Sequence, residues 1–437
     1  MTILATLGVL LAIVAIIYWT SKNLHVIIAA PLASLIIILT NQMNVLEVML
    51  GKEQSYMAGL AGFLINNFAI FMLGSILARY MEASGATQTI ANSILKVMGK
   101  DSPYKGLLAI TLIASILTYG GVSIFVVIFT LLPLSRPLFK ELNINWALFP
   151  IPVFLGAGTY TMTTLPGAPS IQNVIPTKVL GTSLTAAPVI SLAASLTLLV
   201  FGLLYMAYCL KKSLANGETY TEEEDETAVV VADKTPNLFL SVLPLFSLIG
   251  TIFLMSKTPN VLAIGLLVSI LLSALIFYPY LPNQKEILNA ATTASIVPAF
   301  ATSSTVAFGT VLTLSAGFAV IQEWILQQIP GSPLISLSVS TALISGIIGS
   351  SSGAIGIASS NFLPSYLEMG INPELLHRVV VVASAILTVM PQSGVMITFH
   401  NLSKLSMKRG LKYSFILVTV GHLLALFVIL LLAPLLY

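Results

Sequence analysis

The chain has 437 residues, of which 57% are hydrophobic and 8% charged, with a formal net charge of +3 and a mean hydropathy of +0.98. Soluble domains carry roughly 25% charged residues, so this composition excludes a water-soluble fold and indicates a polytopic membrane protein. The sequence has no basic stripe of the nucleic-acid-binding kind, and its single cysteine, Cys209, excludes a disulfide framework or a thiolate metal cluster.

Five apolar segments in the first part of the chain are predicted to be membrane helices. A helix needs around 20 apolar residues to cross about 30 Å of hydrocarbon. The first segment lacks the basic start and small-residue exit of a signal peptide, so we interpret it as the first span. These segments are 3–19, 25–40, 57–79, 146–164 with its continuation, and 187–210.

A polar linker that contains the acidic run 222–226 divides the chain. Such a run is typical of a solvated loop. We therefore predict a first repeat over 1–210, a cytoplasmic linker over 211–235 and a second repeat over 236–437. The candidate spans of the second repeat are 237–255, 261–278, 292–318, 379–398 and 413–435.

Two further apolar stretches, 106–133 and 334–364, are too long for one span and too short for two. We predict re-entrant hairpins over 106–135 and 333–368, with legs of about 14 residues that reach about 21 Å. Backbone at that depth must be buried in protein or line a wet cavity. A pair of short full spans is the alternative. The small and polar residues at the predicted tips are Gly120, Gly121, Ser123, Ser351, Ser352 and Gly353.

Landmarks recur in the same order in the two halves. Gly85 and Gly317 are 232 residues apart, as are Gly121 and Gly353, and Pro166 and Pro391 are 225 apart. This indicates an internal duplication. Because each half has five crossing spans, an odd number, the second copy is predicted to be inverted. Inverted repeats with paired broken helices are the signature of secondary transporters.

The distribution of basic residues predicts the orientation. With the amino terminus outside, 15 of the 19 lysines and arginines lie inside, and only Lys52, Lys178, Lys257 and Arg378 lie outside. Inside loops of membrane proteins carry such an excess. We therefore predict a multi-pass protein of the inner (cytoplasmic) membrane, with both termini outside.

Each half also contains a segment that cannot remain helical. Pro166 and Pro169 flank Gly167 in a broken helix predicted over 146–180, and Pro391 interrupts a second over 374–401. A break exposes backbone amides at the positive end of the next half-helix, which suits an anion. A mere kink is the alternative for either segment alone. The six tip residues named above are predicted to bind substrate together with residues of the breaks, which are Thr164, Gly167, Ser170, Gln172, Asn173, Gln392, Ser393 and Gly394.

Acidic residues are missing near the breaks: none lies between Glu141 and Glu218, or between Glu323 and Glu368. A site for a cationic substrate would need an intramembrane carboxylate, so the pattern favours an anionic, hydroxylated substrate. His400 is the titratable group close to a break and is the candidate proton-linked residue, with a capping role as the alternative. The four histidines lack ligand or catalytic spacing, so we predict no metal, no cofactor and no enzyme activity.

The segments 390–395 and 349–354, together with the proline break, resemble the gluconate permease family of the ion transporter superfamily. The resemblance covers essentially the whole chain. It implies proton-coupled symport of gluconate or related hydroxy acids, including hydroxybutyrate-type substrates, by a homodimer whose transport domain moves as an elevator. Neutral oxygens at helix breaks also bind sodium, so sodium coupling and, further off, an anion channel remain alternatives.

Overall fold

A computed structural model describes residues 2–22, 24–98, 102–119, 123–168, 170–221, 234–255, 260–281, 283–328 and 332–437. All regular secondary structure in these ranges is helical, as predicted for a polytopic membrane protein. Predicted features that lie outside the described residues are Gly120 and Gly121, Pro169 and the acidic run 222–226.

The described residues of the first half form eleven α-helices and one 3-10 turn, Trp146–Leu148. The helices are α1 Thr2–Ser21, α2 Val26–Thr40, α3 Val45–Leu50, α4 Tyr56–Ala83, α5 Ala86–Met98, α6 Pro103–Tyr119, α7 Ile124–Glu141, α8 Pro150–Ala157, α9 Tyr160–Thr163, α10 Ile171–Leu180 and α11 Pro188–Ala215.

The second half has a 3-10 turn, Tyr278–Tyr280, and a π-helical segment, Ile416–Val420. Its α-helices are α12 Leu238–Leu254, α13 Val261–Ile276, α14 Gln284–Leu314, α15 Ala316–Gln328, α16 Pro333–Ile348, α17 Ser351–Asn361, α18 Leu363–Glu368, α19 Pro373–Ala385, α20 Gly394–Ser403, α21 Met407–Phe415 and α22 Gly421–Leu436.

Five helical segments of the described chain are long and apolar enough to span a membrane. They are Ile3–Thr20, Tyr56–Ala83, Pro188–Ala215, Gln284–Leu314 and Met407–Leu436. Large apolar side chains on them and on neighbouring helices point outward, such as Ile65 at 82% exposure and Leu254 at 88%. A soluble protein would bury such residues, so these surfaces suit contact with lipid.

The predicted span 292–318 is wrong at both ends. α14 begins at Gln284 because the Asn283 side chain accepts hydrogen bonds from the amides of Lys285 and Glu286 and so caps the helix. It ends at Leu314, where Ser315 adopts extended backbone and the chain restarts as α15. The predicted span 413–435 likewise begins earlier, at Met407, and contains the π-helical segment.

The two apolar stretches predicted as hairpins each form a pair of helices. α6 has 17 residues and α7 has 18, so each reaches about 26 Å, more than the predicted legs. α16 has 16 residues and α17 only 11. In the second pair, Gly349 ends α16 with φ +70°, a left-handed conformation that glycine adopts without strain.

Helix contacts recur in matching pairs between the two halves. α1 packs against α2 and α15, whereas α12 packs against α13 and α5. α2 contacts α14 and α13 contacts α4, and these two long helices, α4 and α14, contact each other along much of their length. At one point of that contact Ser75 Oγ donates to the Ala291 carbonyl at 2.8 Å. α6 contacts α8 as α16 contacts α19.

Candidate functional site: two helix breaks

The first break lies between α9, which ends at Thr163, and α10, which starts at Ile171. Ser170 caps α10: its Oγ accepts from the Asn173 amide at 3.3 Å and donates to the Met162 carbonyl at 2.7 Å. Gly167 has φ +82° and its amide donates to the Leu184 carbonyl at 3.0 Å. The break is therefore a turn held by its own polar groups. The predicted broken helix is also interrupted earlier, at Gly158.

Asn173 is fully buried within this turn. Its Nδ2 donates to the carbonyls of Met162 and Ala168 and to Ser170 Oγ, at 3.2–3.3 Å. Its Oδ1 accepts from Arg378 Nη1 at 3.1 Å. Asn173 was predicted to donate to substrate, and in this conformation its amide hydrogens face protein acceptors.

The distribution of basic residues assigned Arg378 to the outside, within the broken helix predicted over 374–401. The residue lies within α19 with a fully buried side chain. Nη1 donates to the Thr163 carbonyl at 2.5 Å and to Asn173 Oδ1, and Nη2 donates to the Ala186 carbonyl at 3.1 Å. The guanidinium instead supplies a buried positive charge at the first break.

The acceptors around Arg378 are neutral. Among the described residues no carboxylate is within ion-pair distance of it, and Tyr437, at the end of α22, acts on it electrostatically. Arg378 Nε is buried without a hydrogen-bond partner. A buried charge is normally paired. The Nε–H of Arg378 can therefore donate to an anionic ligand.

His422 is a second residue that the sequence did not connect with the break. Its ring is fully buried at the start of α22. Nδ1 is 2.7 Å from the Val418 carbonyl and Nε2 is 3.0 Å from Thr163 Oγ1. Thr163 therefore contacts Arg378 through its carbonyl and His422 through its hydroxyl.

The second break lies between α19, which ends at Ala385, and α20, which starts at Gly394. Gln392 and Ser393 are both buried, and Gln392 Nε2 donates to the Gly346 carbonyl at 2.8 Å. A Cβ on Gly349 would lie 3.1 Å from Ser393 Cα, and one on Gly394 would lie 2.6 Å from Thr302 Cγ2. The break is thus packed against both α14 and the end of α16.

Both helix pairs meet the break of their own half. In the second half, Ser351 Oγ is 2.6 Å from Ser384 Oγ, and Ser350 Oγ caps α17 by accepting from the Gly353 amide. Ser350 and Ser352 hydroxyls are 3.3 Å apart. In the first half, Tyr119 Oη donates to the Pro166 carbonyl at 3.2 Å. The end of α6 and the start of α17 therefore each form a hydrogen bond with residues at or beside a break.

The two breaks are also joined to each other. Thr419, in the π-helical segment, donates to the Ile386 carbonyl at the second break at 2.7 Å, and His422, three residues later, contacts Thr163 at the first. α10 contacts α17, and α20 contacts α7, so each second half-helix packs on the helix pair of the opposite half. π-helical turns inside α-helices are frequent at functional sites.

Buried polar atoms without a partner are found on these elements. They include Ser123 Oγ at the start of α7, Gln172 Oε1, Gln392 Oε1 and Arg378 Nε. Thr164 Oγ1, in contrast, accepts from Ser195 Oγ at 2.8 Å. Buried polar groups are nearly always hydrogen-bonded, so atoms that lack a protein partner mark places where water or a polar ligand binds.

Two cavities lie at the far end of α20, about 15 Å from the second break. The larger, of about 570 Å³, is lined by Arg79, Glu82, Arg136 and Lys404 among others. The smaller, of about 310 Å³, shares His25, Asn401 and Lys404 with it and also includes His400. The break residues line neither cavity, so the breaks are closed to both in this conformation.

His400 is mostly buried at the wall of the smaller cavity. Its Nδ1 is 2.5 Å from the Leu405 carbonyl, and its Nε2 has no partner. It lies two turns beyond the second break on α20. In the part of the chain that is described, no group of three histidine, cysteine or acidic residues is placed to hold a metal ion.

Known proteins resemble the chain over almost its full length. The family model described as GntP family permease matches residues 1–435. The uncharacterized transporter YxjC of Bacillus subtilis (strain 168) is 31% identical over 438 residues, which cover 89% of this chain and 90% of that protein. The crystal structure of the Alcanivorax borkumensis YdaH transporter covers 87% of this chain and 86% of its own at 14% identity, with a TM-score of 0.38 that is too low to argue from.

Proposed function

The chain belongs to the GntP family of permeases and is a multi-pass membrane transporter, and on that premise we propose that it is an ion-coupled symporter of a small hydroxylated monocarboxylate. Gluconate and hydroxybutyrate are the representative substrates, and the proton is the proposed coupling ion. The substrate carboxylate binds where the two helix breaks meet the tips of their helix pairs. Sodium coupling is the alternative within this class.

One observation carries the proposal: Arg378 is a buried cation at the first break with neutral partners and an unpartnered Nε. Removing a charge from water is costly unless it is paired. A bound carboxylate supplies that pairing, and the buried oxygens and hydroxyls of Ser123, Gln172 and Gln392 are suited to a hydroxylated chain. A cationic substrate would meet like charge here.

The architecture of the proposal is two inverted repeats with re-entrant hairpins. The matching helix contacts of the two halves support the duplication, as do the two breaks at equivalent places in each half. Because Asn173, Gln392 and Ser393 are buried in this conformation, substrate access to these side chains requires a movement of α10, α19 and α20 relative to the rest. An elevator movement within a homodimer of the inner membrane satisfies this requirement.

The larger cavity supports a path for anions. Arg79, Arg136 and Lys404 line it together with one acid, Glu82, which pairs with Arg79 at 3.2 Å. A cleft lined mainly by one sign of charge raises the local concentration of the opposite ion. We assign this cavity to the cytoplasmic side, because all three basic residues fall in predicted inside positions.

The test is uptake by purified protein in liposomes, with Arg378→Gln compared with Lys178→Gln. Lys178 is an exposed cation on α10, so its loss should leave uptake of D-gluconate or 3-hydroxybutyrate unchanged. Losing a hydrogen bond to a charged group costs roughly 1.5–3 kcal/mol, so Arg378→Gln should raise the KM about ten- to a hundredfold. Transport of amines or neutral sugars without any carboxylate transport would refute the substrate class.

A further inference from the structure

The hydrogen bonds around His422 differ between its protonated and its neutral form. The Val418 carbonyl can only accept, so Nδ1, 2.7 Å away, carries a hydrogen in both forms. Thr163 Oγ1 has a single hydrogen and two neighbours that can accept it, the Thr159 carbonyl at 2.9 Å and His422 Nε2 at 3.0 Å. When the hydroxyl donates to Thr159, Nε2 must donate to the hydroxyl, and the imidazole then carries both hydrogens and is a cation.

Neutral His422 cannot keep this arrangement. If Nδ1 retains its hydrogen, Nε2 becomes an acceptor, and the Thr163 hydroxyl must turn away from Thr159 to satisfy it. The protonation of His422 therefore changes a hydrogen bond in α9, the four-residue helix whose last residue precedes the first break. The same residue, Thr163, offers its carbonyl to Arg378.

Arg378 is the charged residue that shares a hydrogen-bond partner, Thr163, with His422. On α19, Glu374 accepts from the Ala187 amide and His377 contacts Thr182. On α9, Tyr160 contacts Ser115. The ionisable residues of α11 lie near its carboxyl end; they are Tyr205, Tyr208, Cys209, Lys211 and Lys212. The ionisable residues of α21 are Lys408, Arg409, Lys412 and Tyr413, and Tyr437 lies at the chain end.

We propose that His422 is the proton-binding group of the transporter and that Thr163 couples it to the anion held by Arg378. This inference rests on the proposed function and specifies its coupling mechanism. Two cations that share one residue in a buried site repel each other strongly. A carboxylate on Arg378 cancels that repulsion, so substrate favours protonation of His422, and by linkage the proton favours substrate.

The charges balance over one cycle. The carboxylate pairs with Arg378 and a proton adds to His422 Nε2, so the loaded site has the same net charge as the empty one. Both leave together on the other side of the membrane, where the proton returns to water. The site can therefore move when it holds both the substrate and the proton or when it holds neither. A site that holds only one of them has a different net charge and does not move, which is the condition for symport.

The experiment separates coupling from binding in full-length protein reconstituted in liposomes. D-gluconate and 3-hydroxybutyrate are measured in two modes: accumulation driven by an inward proton gradient, and counterflow at equal pH. His422→Gln and Thr163→Val should lose gradient-driven accumulation by roughly tenfold or more and retain counterflow. Thr163→Val keeps the carbonyl that Arg378 needs and removes only the hydroxyl.

Thr161→Val is the matched control, since Thr161 is also buried on α9 but donates to Gly156, and it should accumulate substrate like the parent. Normal accumulation by both His422→Gln and Thr163→Val would overturn the assignment. The assignment would also be overturned if His400→Gln lost accumulation while His422→Gln accumulated substrate like the parent. If the parent protein transports neither carboxylate, the proposed function itself fails. Accumulation driven by sodium alone would overturn the proton site and leave the anion site standing.

Discussion

Two serines occupy equivalent places at the two breaks, and their side chains are used differently. Ser170 caps α10 through its Oγ and also donates to the Met162 carbonyl. Ser393 precedes α20 in the same way, but its side chain forms no capping hydrogen bond. Ser170 is thus committed to holding the turn, whereas the Ser393 hydroxyl remains available to a ligand.

We predict that Ser170→Ala and Ser393→Ala have different consequences. Loss of a serine cap costs about 1 kcal/mol, so Ser170→Ala should lower the apparent Tm in detergent. Ser393→Ala should leave the Tm unchanged and raise the KM for the carboxylate substrate. Thermal unfolding and uptake kinetics of the two purified variants check this. Equal KM values for parent and Ser393→Ala would remove that hydroxyl from the site.

The polar residues of the breaks can be located from the sequence because proline and glycine mark them. The hydrogen-bond partners of these residues cannot be predicted in this way. Asn173 faces Arg378, 205 positions later in the chain, and Thr163 faces His422, 259 positions later. Nothing in the local pattern of α19 distinguishes Arg378 from a residue at a helix end. A basic residue beside an apolar helical segment was the one available signal, and the distribution of charges assigned it to the outside.

At the scale of elements, the contact between the end of α16 and the second break depends on Gly349. A Cβ there would meet Ser393 Cα at 3.1 Å and Ser393 N at 3.2 Å. Both atoms belong to the backbone and cannot move without moving the break. Gly370 has a similar conformation, φ +78° against +70°, but a Cβ there would meet nothing within 4 Å.

Gly349→Ala and Gly370→Ala therefore form a matched pair. Each substitution should cost on the order of 1 kcal/mol for the left-handed backbone. Gly349→Ala should in addition displace Ser393 and reduce uptake severalfold, while Gly370→Ala should transport like the parent. Uptake and apparent Tm are measured together. Equal transport by the two variants would show that the Gly349 contact does not position the break.

Elements with strong local signals follow from the sequence. α1 and α2 lie within two residues of the predicted spans 3–19 and 25–40, because long apolar runs there end in polar residues. The bounds of α14 do not follow from the sequence. The helix begins at the Asn283 cap and passes through a polar stretch before it reaches the apolar one. The π-helical segment within 413–435 leaves no trace in composition, and the partners of Thr419 and His422 lie far away in the sequence or at the other break.

At the scale of the whole molecule, several residues predicted inside lie on one face. Glu218, beyond α11, accepts from Ser213 Oγ and Asn145 Nδ2, both at 2.7 Å, and these bonds hold its pKa below the ordinary value. Arg409, at the start of α21, donates to Thr221. The loops around Asn145, Glu218 and Arg409 therefore share a side, as the distribution of basic residues predicts.

The orientation is tested with single cysteines in a Cys209→Ser background. Asn216→Cys, just beyond α11, should react in intact cells only with reagents that cross the membrane. Lys52→Cys, exposed on the predicted opposite side, should react with an impermeant reagent. The reverse pattern of labelling would show that the topology is opposite to the one proposed. The larger cavity would then lie on the outside.

The central claim is that an ion gradient drives a hydroxylated monocarboxylate through this protein, and accumulation in proteoliposomes tests it most directly. Purified protein is reconstituted with an inward proton gradient, an inward sodium gradient or neither, and labelled D-gluconate and 3-hydroxybutyrate are offered. We predict saturable accumulation of at least one carboxylate above equilibrium under the proton gradient, abolished by a protonophore. Uptake that never exceeds equilibrium under either gradient, with no acceleration by substrate on the opposite side, would contradict the account and indicate a channel.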